Sequence, residues 1–180
     1  MKMSGKTLLG GEYLIAETSC EDVFTPEDFT DEQRQMGETT EQFIANEIIP
    51  HIEEIDKQNF DIVVAGMKKC GELGLLMMDA PEEYGGLELD KASSMLVSEK
   101  IAYGGSFMVA YACHTGIGTL PLIYYGTEDQ KQRYLDKLIS GEWCSAYCLT
   151  EPGSGSDALG AKATAVLSED GRHYILNGTK

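Results

Sequence analysis

The chain has 180 residues, 42% hydrophobic and 24% charged, enough for one well-buried core and part of a second. Fourteen Lys and Arg stand against 30 Asp and Glu, and the net charge of −16 repels nucleic-acid phosphates and anionic membrane surfaces. Cysteines at 20, 70, 113, 144 and 148 make no CxxC pair, and no HExxH motif accompanies His51, His114 and His173. That pattern argues for reduced, mostly buried thiols and against a metal site.

Residues 1–25 read as an amino-terminal extension. "MKMSGKTLLGGEYLIAETS" is too interrupted for a signal-peptide core and lacks the arginines of a mitochondrial presequence. No run approaches the roughly 18 apolar residues of a membrane span. The expected location is the cytoplasm, or the mitochondrial matrix for a processed chain.

Residues 26–142 have helical periodicity. Thr30 and Gln33 form a capping box ahead of Phe43, Ile44, Ile48, Ile52 and Ile55, with Pro50 expected to kink or break the helix. Asn59 is placed to cap a second helix, Phe60 to Leu73, closed by Gly74. Pro81 and Gly85–Gly86 punctuate a turn-rich connection, and Asp90 caps a third helix through Ala102, with Met95, Leu96, Ile101 and Ala102 among its apolar positions. Phe107 to Tyr125 is apolar nearly all round and predicts a buried, kinked helix in which His114 is a packed side chain rather than a ligand. Tyr124–Tyr125 and Met77–Met78 are expected in core or buried interface. A second capping box, Thr127 with Gln130, opens a helix with Tyr134, Leu135 and Leu138 on one face, ended by Gly141.

The period changes after Glu142. "WCSAYCLT" is β-compatible, "AKATAVL" alternates, "SEDGR" carries an Asp-Gly turn, and "HYIL" follows as a further strand. Asn177–Gly178 signals another hairpin, yet only two residues follow, so a chain cut within a β domain is expected. The fold class is therefore mainly α: a helical bundle, then the truncated start of a β domain over residues 143–180.

Between the strand-like runs lies "CLTEPGSGSDALG", Cys148 to Gly160. Gly153, Gly155 and Ala158 fit G-x-G-x-x-A, but a dinucleotide fingerprint needs a helix directly afterwards, and here the chain alternates like a strand. No Gly-Lys-Ser/Thr of a phosphate loop occurs. A Gly/Ser turn can still form an anion-binding nest of amides, and an ordinary surface turn remains open.

"YCLTEPGSGSD" at 147–157 resembles the signature of the acyl-CoA dehydrogenases. "APEEYGG" at 80–86, "YGTEDQKQRYLDKLISGE" at 125–142 and "YILNGTK" at 174–180 resemble further blocks of that family in its order, and "GGEYLI…FTPEDFTDEQRQM" is similar to its long-chain and very-long-chain branch. The resemblance implies a homo-oligomeric flavoenzyme that binds FAD, dehydrogenates fatty acyl-CoA and passes electrons to an electron-transferring flavoprotein. It implies that Tyr147, Cys148, Leu149, Thr150, Gly155 and Ser156 form the flavin-binding strand and loop. The Leu149 and Thr150 amides and the Thr150 hydroxyl would donate to the pyrimidine side of the isoalloxazine, where reduction places negative charge. Ser156 would touch the pyrophosphate and border the acyl-CoA channel, while "PEEYGG" could line its entrance. Glu151, Pro152 and Asp157 are read as structural, and Gly155 as permitting close approach or a positive φ. The family's second flavin segment and its catalytic glutamate would lie beyond Lys180, so no acid here inherits the base and the chain alone is expected to be inactive. A non-catalytic interaction module or natural short form is the alternative reading; a carboxylate hydrolase finds little support.

Overall fold

The computed structural model describes residues 11–19 and 24–180, with backbone only at Tyr13. The extension reading and Cys20 therefore fall partly outside the described residues. Helix α1, Asp31–Phe43, starts where the Thr30 hydroxyl accepts from the Gln33 amide at 3.2 Å and Gln33 Oε1 accepts from the Thr30 amide at 2.9 Å, the reciprocal box expected. Pro50 has no amide hydrogen to offer a helix. The chain accommodates it by widening to a π-helical turn at Ile44–Ile48 and tightening to a 3-10 turn at Ile49–His51, before α2, Ile52–Asp56.

Helix α3, Phe60–Glu72, stops ahead of Gly74, whose φ of +77° is left-handed. Asn59 precedes it but does not cap it; its side-chain amide turns back to Glu54 at 3.5 Å. Asp90 does cap α4, Lys91–Ile101, by accepting from the Ser93 amide at 2.9 Å. The same carboxylate and Ser93 receive hydrogen bonds from the buried Gln33 side chain, which locks α1 to α4. Val97 and Ile101 form the inner face of α4, whereas Met95, expected to be apolar core, is 67% exposed and Ala102 lies at the surface. The eleven-residue helix needs only one stripe to pack, and the three- and four-residue spacing Ser93, Val97, Ile101 sets it.

Phe107–Tyr125 is a composite of α5, Phe107–Ala112, a π-helical segment, Cys113–Thr119, and α6, Leu120–Tyr125. By length and composition this stretch meets the requirement for a membrane-crossing helix, contrary to the expectation above. Its Phe107, Tyr111, His114, Thr119 and Ile123 are nevertheless buried against the rest of the helical layer. The all-round burial expected is corrected: Val109, Ile117, Tyr124 and Tyr125 point outward, Tyr125 at 87% exposure. Met78 is buried and Met77 half-buried, as expected of that pair.

Helix α7, Glu128–Ile139, begins with the second capping box, Thr127 with Gln130, and buries Leu135, Leu138 and Ile139. The core has two parts. One joins Phe43, Ile44, Ile48, Met67, Val97, Ile101 and Phe107; the other gathers Ala80, Ile123, Leu135 and Ile139. Gly141, at φ +74°, turns the chain out of the helices. Beyond it, "WCSAYCLT" is extended but pairs with no strand among the described residues, because nothing lies alongside it. β1, Thr164–Leu167, and β2, Tyr174–Asn177, form an antiparallel pair with Val166 opposite Ile175, joined through the Asp170–Gly171 turn. The described cysteines are all free thiols, but only Cys70 is buried, where desolvation pushes its thiol up to about 12. Cys144 and Cys148 are exposed, against the expectation of burial.

Candidate functional site

Once past Gly141, the chain is first tied down at Trp143, whose amide donates to the Lys137 carbonyl at 2.9 Å while the Lys137 ammonium sits 4.5 Å from the indole centre. Residues 144–150 then run extended along the surface. None of the amides of 146–150 donates to a group among the described residues. Such a row of main-chain donors seeks a partner. Tyr147, Cys148, Leu149 and Thr150 are all exposed, and the Thr150 hydroxyl has no protein partner among the described residues.

The row ends at a tight bend in which the Glu151 amide donates to the Ser154 carbonyl at 3.0 Å and the Ser154 amide returns the bond at 3.1 Å. The Ser154 hydroxyl, buried, donates to the Asp157 carbonyl at 2.6 Å and closes the loop. Glu151 is only 8% exposed and fully engaged. Its carboxylate pairs with the Lys180 ammonium at 2.8 Å and accepts from the Lys162 and Ala163 amides at 2.6 and 3.1 Å. The Lys180 charge, and then the Lys162 amide, hold its carboxyl down at about 2. The structural reading of Glu151 is thus supported by named bonds, and its low proton affinity disqualifies it as a base at neutral pH.

Gly155 corrects one expectation. Its φ is not left-handed, and a Cβ there would meet nothing within 4 Å, as at Gly153. Whatever close approach it permits is to a body outside this chain. The Ser156 hydroxyl is exposed and without a protein partner among the described residues. Tyr147 to Ser156 therefore form one continuous exposed strip: amides, two free hydroxyls and two bare glycine faces, with a rigid bend between. Chemically it can hold a planar acceptor edge and an adjoining anion.

Two residues that the motif does not contain complete the frame. His114, buried in the π-helical segment, spans from α7 to the extended strip. Its Nδ1 accepts from the Ser145 amide at 3.0 Å, so the ring proton resides on Nε2, which donates to the Leu138 carbonyl at 2.9 Å. The Ser145 hydroxyl lies 3.0 Å from the same Nδ1 and donates to the His114 carbonyl at 3.1 Å; the Thr119 hydroxyl donates to that carbonyl at 2.6 Å. Burial lowers the proton affinity of His114, the Leu138 bond only partly opposing it, and keeps the ring neutral. A histidine flanked by Thr115, Gly116, Gly118 and Thr119 suggests a packed ring, but nothing in that pattern names Ser145 as its partner.

The model of the acyl-CoA dehydrogenase N-terminal domain matches residues 30–142. The chain belongs to the acyl-CoA dehydrogenase family. A probable acyl-CoA dehydrogenase of Bacillus subtilis is 54% identical over 171 residues, covering 95% of this chain and 29% of that protein. A mitochondrial isovaleryl-CoA dehydrogenase of Solanum tuberosum is 42% identical over 154 residues, covering 84% of this chain and 37% of its own length. Among solved structures, an acyl-CoA dehydrogenase from Bacillus anthracis complexed with FAD superposes with a TM-score of 0.92 at 51% identity, over 96% of this chain and 30% of that one. The chain thus spans about a third of the length of the acyl-CoA dehydrogenases it matches.

Proposed function

We propose that residues 26–142 and 143–180 are the helical domain and the opening of the flavin-binding β domain of an FAD-dependent acyl-CoA dehydrogenase. The observation that carries this is the exposed, unpartnered donor strip from Tyr147 to Thr150 leading into the glycine-faced bend. It fits FAD: the open faces at Gly153 and Gly155 admit a bulky group, and the free hydroxyls of Thr150 and Ser156 suit a heterocycle edge and a pyrophosphate. FAD, when bound, would accept the hydride from the acyl β-carbon.

The chain's own residues bind and orient. Leu149 and Thr150 amides and the Thr150 hydroxyl donate to the pyrimidine edge and favour its electron-rich form. Ser156 contacts the pyrophosphate and the border of the acyl-CoA channel, and Cys148 and Tyr147 present the strand. Because Glu151 stays ionised and engaged, the base that removes the α-proton belongs to chain beyond Lys180. The parent protein would be a homo-oligomer that acts on fatty acyl-CoA and delivers electrons to an electron-transferring flavoprotein; similarity at the amino terminus favours the long-chain branch.

Reconstitution tests this reading. The 180-residue chain should purify colourless and inactive, while the full-length protein should take up FAD and show bleaching of its flavin band by a fatty acyl-CoA. Thr150→Val in the latter should weaken FAD binding about tenfold, the loss of roughly one charge-assisted hydrogen bond. A stoichiometrically yellow 180-residue chain, or a full-length protein indifferent to FAD, contradicts the reading.

A further inference from the structure

We infer that His114 is a positioning residue for the flavin-facing strip: by bridging the Leu138 carbonyl to Ser145 it sets which amides of 147–150 face the cofactor. This rests on the proposed FAD site. The geometry supplies the reason. Successive residues of an extended chain present alternate sides, so a slip of one residue at Ser145 would turn the Leu149 and Thr150 donors to the wrong face. The strip has no ladder to fix its register among the described residues, and lies between two polar anchors. Glu151 holds its far end to Lys162, Ala163 and Lys180, and His114 holds its near end to the helical layer.

The helix is shaped to admit Ser145. Gly118 lies in the same π-helical segment, and a Cβ on it would sit 2.2 Å from the Ser145 hydroxyl oxygen and 2.7 Å from its Cβ. The π turn also presents the His114 carbonyl to two hydroxyls at once, from Ser145 and Thr119. Widened turns of this kind recur where a helix serves a site. Four contacts to Ser145, from its amide and its hydroxyl, converge on one helical turn.

The two nitrogens separate in a test on the holoenzyme. His114→Asn keeps an acceptor near Nδ1 and abandons Leu138; His114→Gln keeps a donor near Nε2 and abandons Ser145. With helical circular dichroism as the folding control, His114→Gln should weaken FAD binding about tenfold and speed hydrogen exchange at the Ser145 amide by a similar factor, while His114→Asn stays within about threefold on both. Gly118→Ala, which leaves the ring intact but crowds Ser145, should resemble His114→Gln. Equal FAD affinities in the Asn and Gln variants, or wild-type affinity and Ser145 exchange in Gly118→Ala, overturn the inference. Failure of the wild-type protein to bind FAD would instead reject the flavin reading, and the Ser145 exchange rates would still decide whether His114 holds the strip.

Discussion

Between Phe43 and Ile139 the buried side chains are mainly hydrocarbon, led by Phe107, Ile44, Met67 and Leu135, whereas beyond Gly141 the side chains sealed from solvent are those of Glu151 and Ser154. In the strand pair the polarity is inverted: Val166, Leu167, Tyr174, Ile175 and Leu176 all face outward. The helical layer is held by packing with capped ends. The extended part is held by a carboxylate, a hydroxyl and an imidazole that fix backbone, not by a core. A surface that must present main-chain donors to a ligand gains from this arrangement, since polar anchors fix direction as well as distance.

The sharpest way to break the comparison is to empty the helical core. Phe107 is fully buried, edge-on to Phe43 at a ring separation of 6.1 Å. Phe107→Ala should cost about 3–5 kcal/mol in urea unfolding, through lost burial and the cavity left behind. An effect below about 1 kcal/mol would mean that this layer is not the stabilising unit.

Acid should separate the two regions, with a smaller effect than the core truncation. His114 has a folded proton affinity lowered from the ordinary 6.5, so its contribution is complete above that pH and falls as pH drops below it towards the lowered value. Glu151 is lowered from 4.5 to about 2, so its contribution is present above 4.5 and is lost as pH falls through about 2. Exchange of the Ser145 amide should therefore quicken at a higher pH than exchange at Lys162 and Ala163. Simultaneous release of all three would deny that the strip has two separate anchors.

Much of the helical layer is legible from residues alone because its signals are local. Thr30 with Gln33, Asp90 and Thr127 with Gln130 declare their helices, and each makes the bond its residue type permits. Asn59 fails as a cap because Glu54, five residues back, attracts its amide, and that choice depends on how α2 and α3 meet. Met95 and the outward tyrosines 124 and 125 mislead for another reason: apolar character does not reveal which side of a helix has a neighbour. At the candidate site the motif locates Tyr147 to Ser156, yet the reason Glu151 is buried lies eleven, twelve and twenty-nine residues later, at Lys162, Ala163 and Lys180. His114 and Ser145 are thirty-one residues apart, and only folding brings them together.

A cap lies lower on the scale. Thr127→Ala removes the hydroxyl that accepts from the Gln130 amide at 3.3 Å and opens the first turn of α7. About 1 kcal/mol should be lost in thermal or urea unfolding. Thr127→Ser, which retains the acceptor, should recover most of it. If the alanine variant is as stable as the parent, the capping box seen here adds nothing, and the helical layer depends on packing alone.

The smallest effect is expected where a hydrophobic residue looks most important in the sequence. Leu176 pairs with Ala165 in the strand ladder but is 77% exposed. Leu176→Ser removes little buried area, so the 180-residue chain should change by no more than about 0.5 kcal/mol, as surface substitutions do. In a longer protein whose further strands cover this face, the same change would expose a buried leucine's worth of surface and cost about 2 kcal/mol. Measuring both turns the comparison into a gauge of what the strand pair is built to meet: a small cost in each would mean that this apolar face stays uncovered, and a large one in the short chain would mean that it already has a partner.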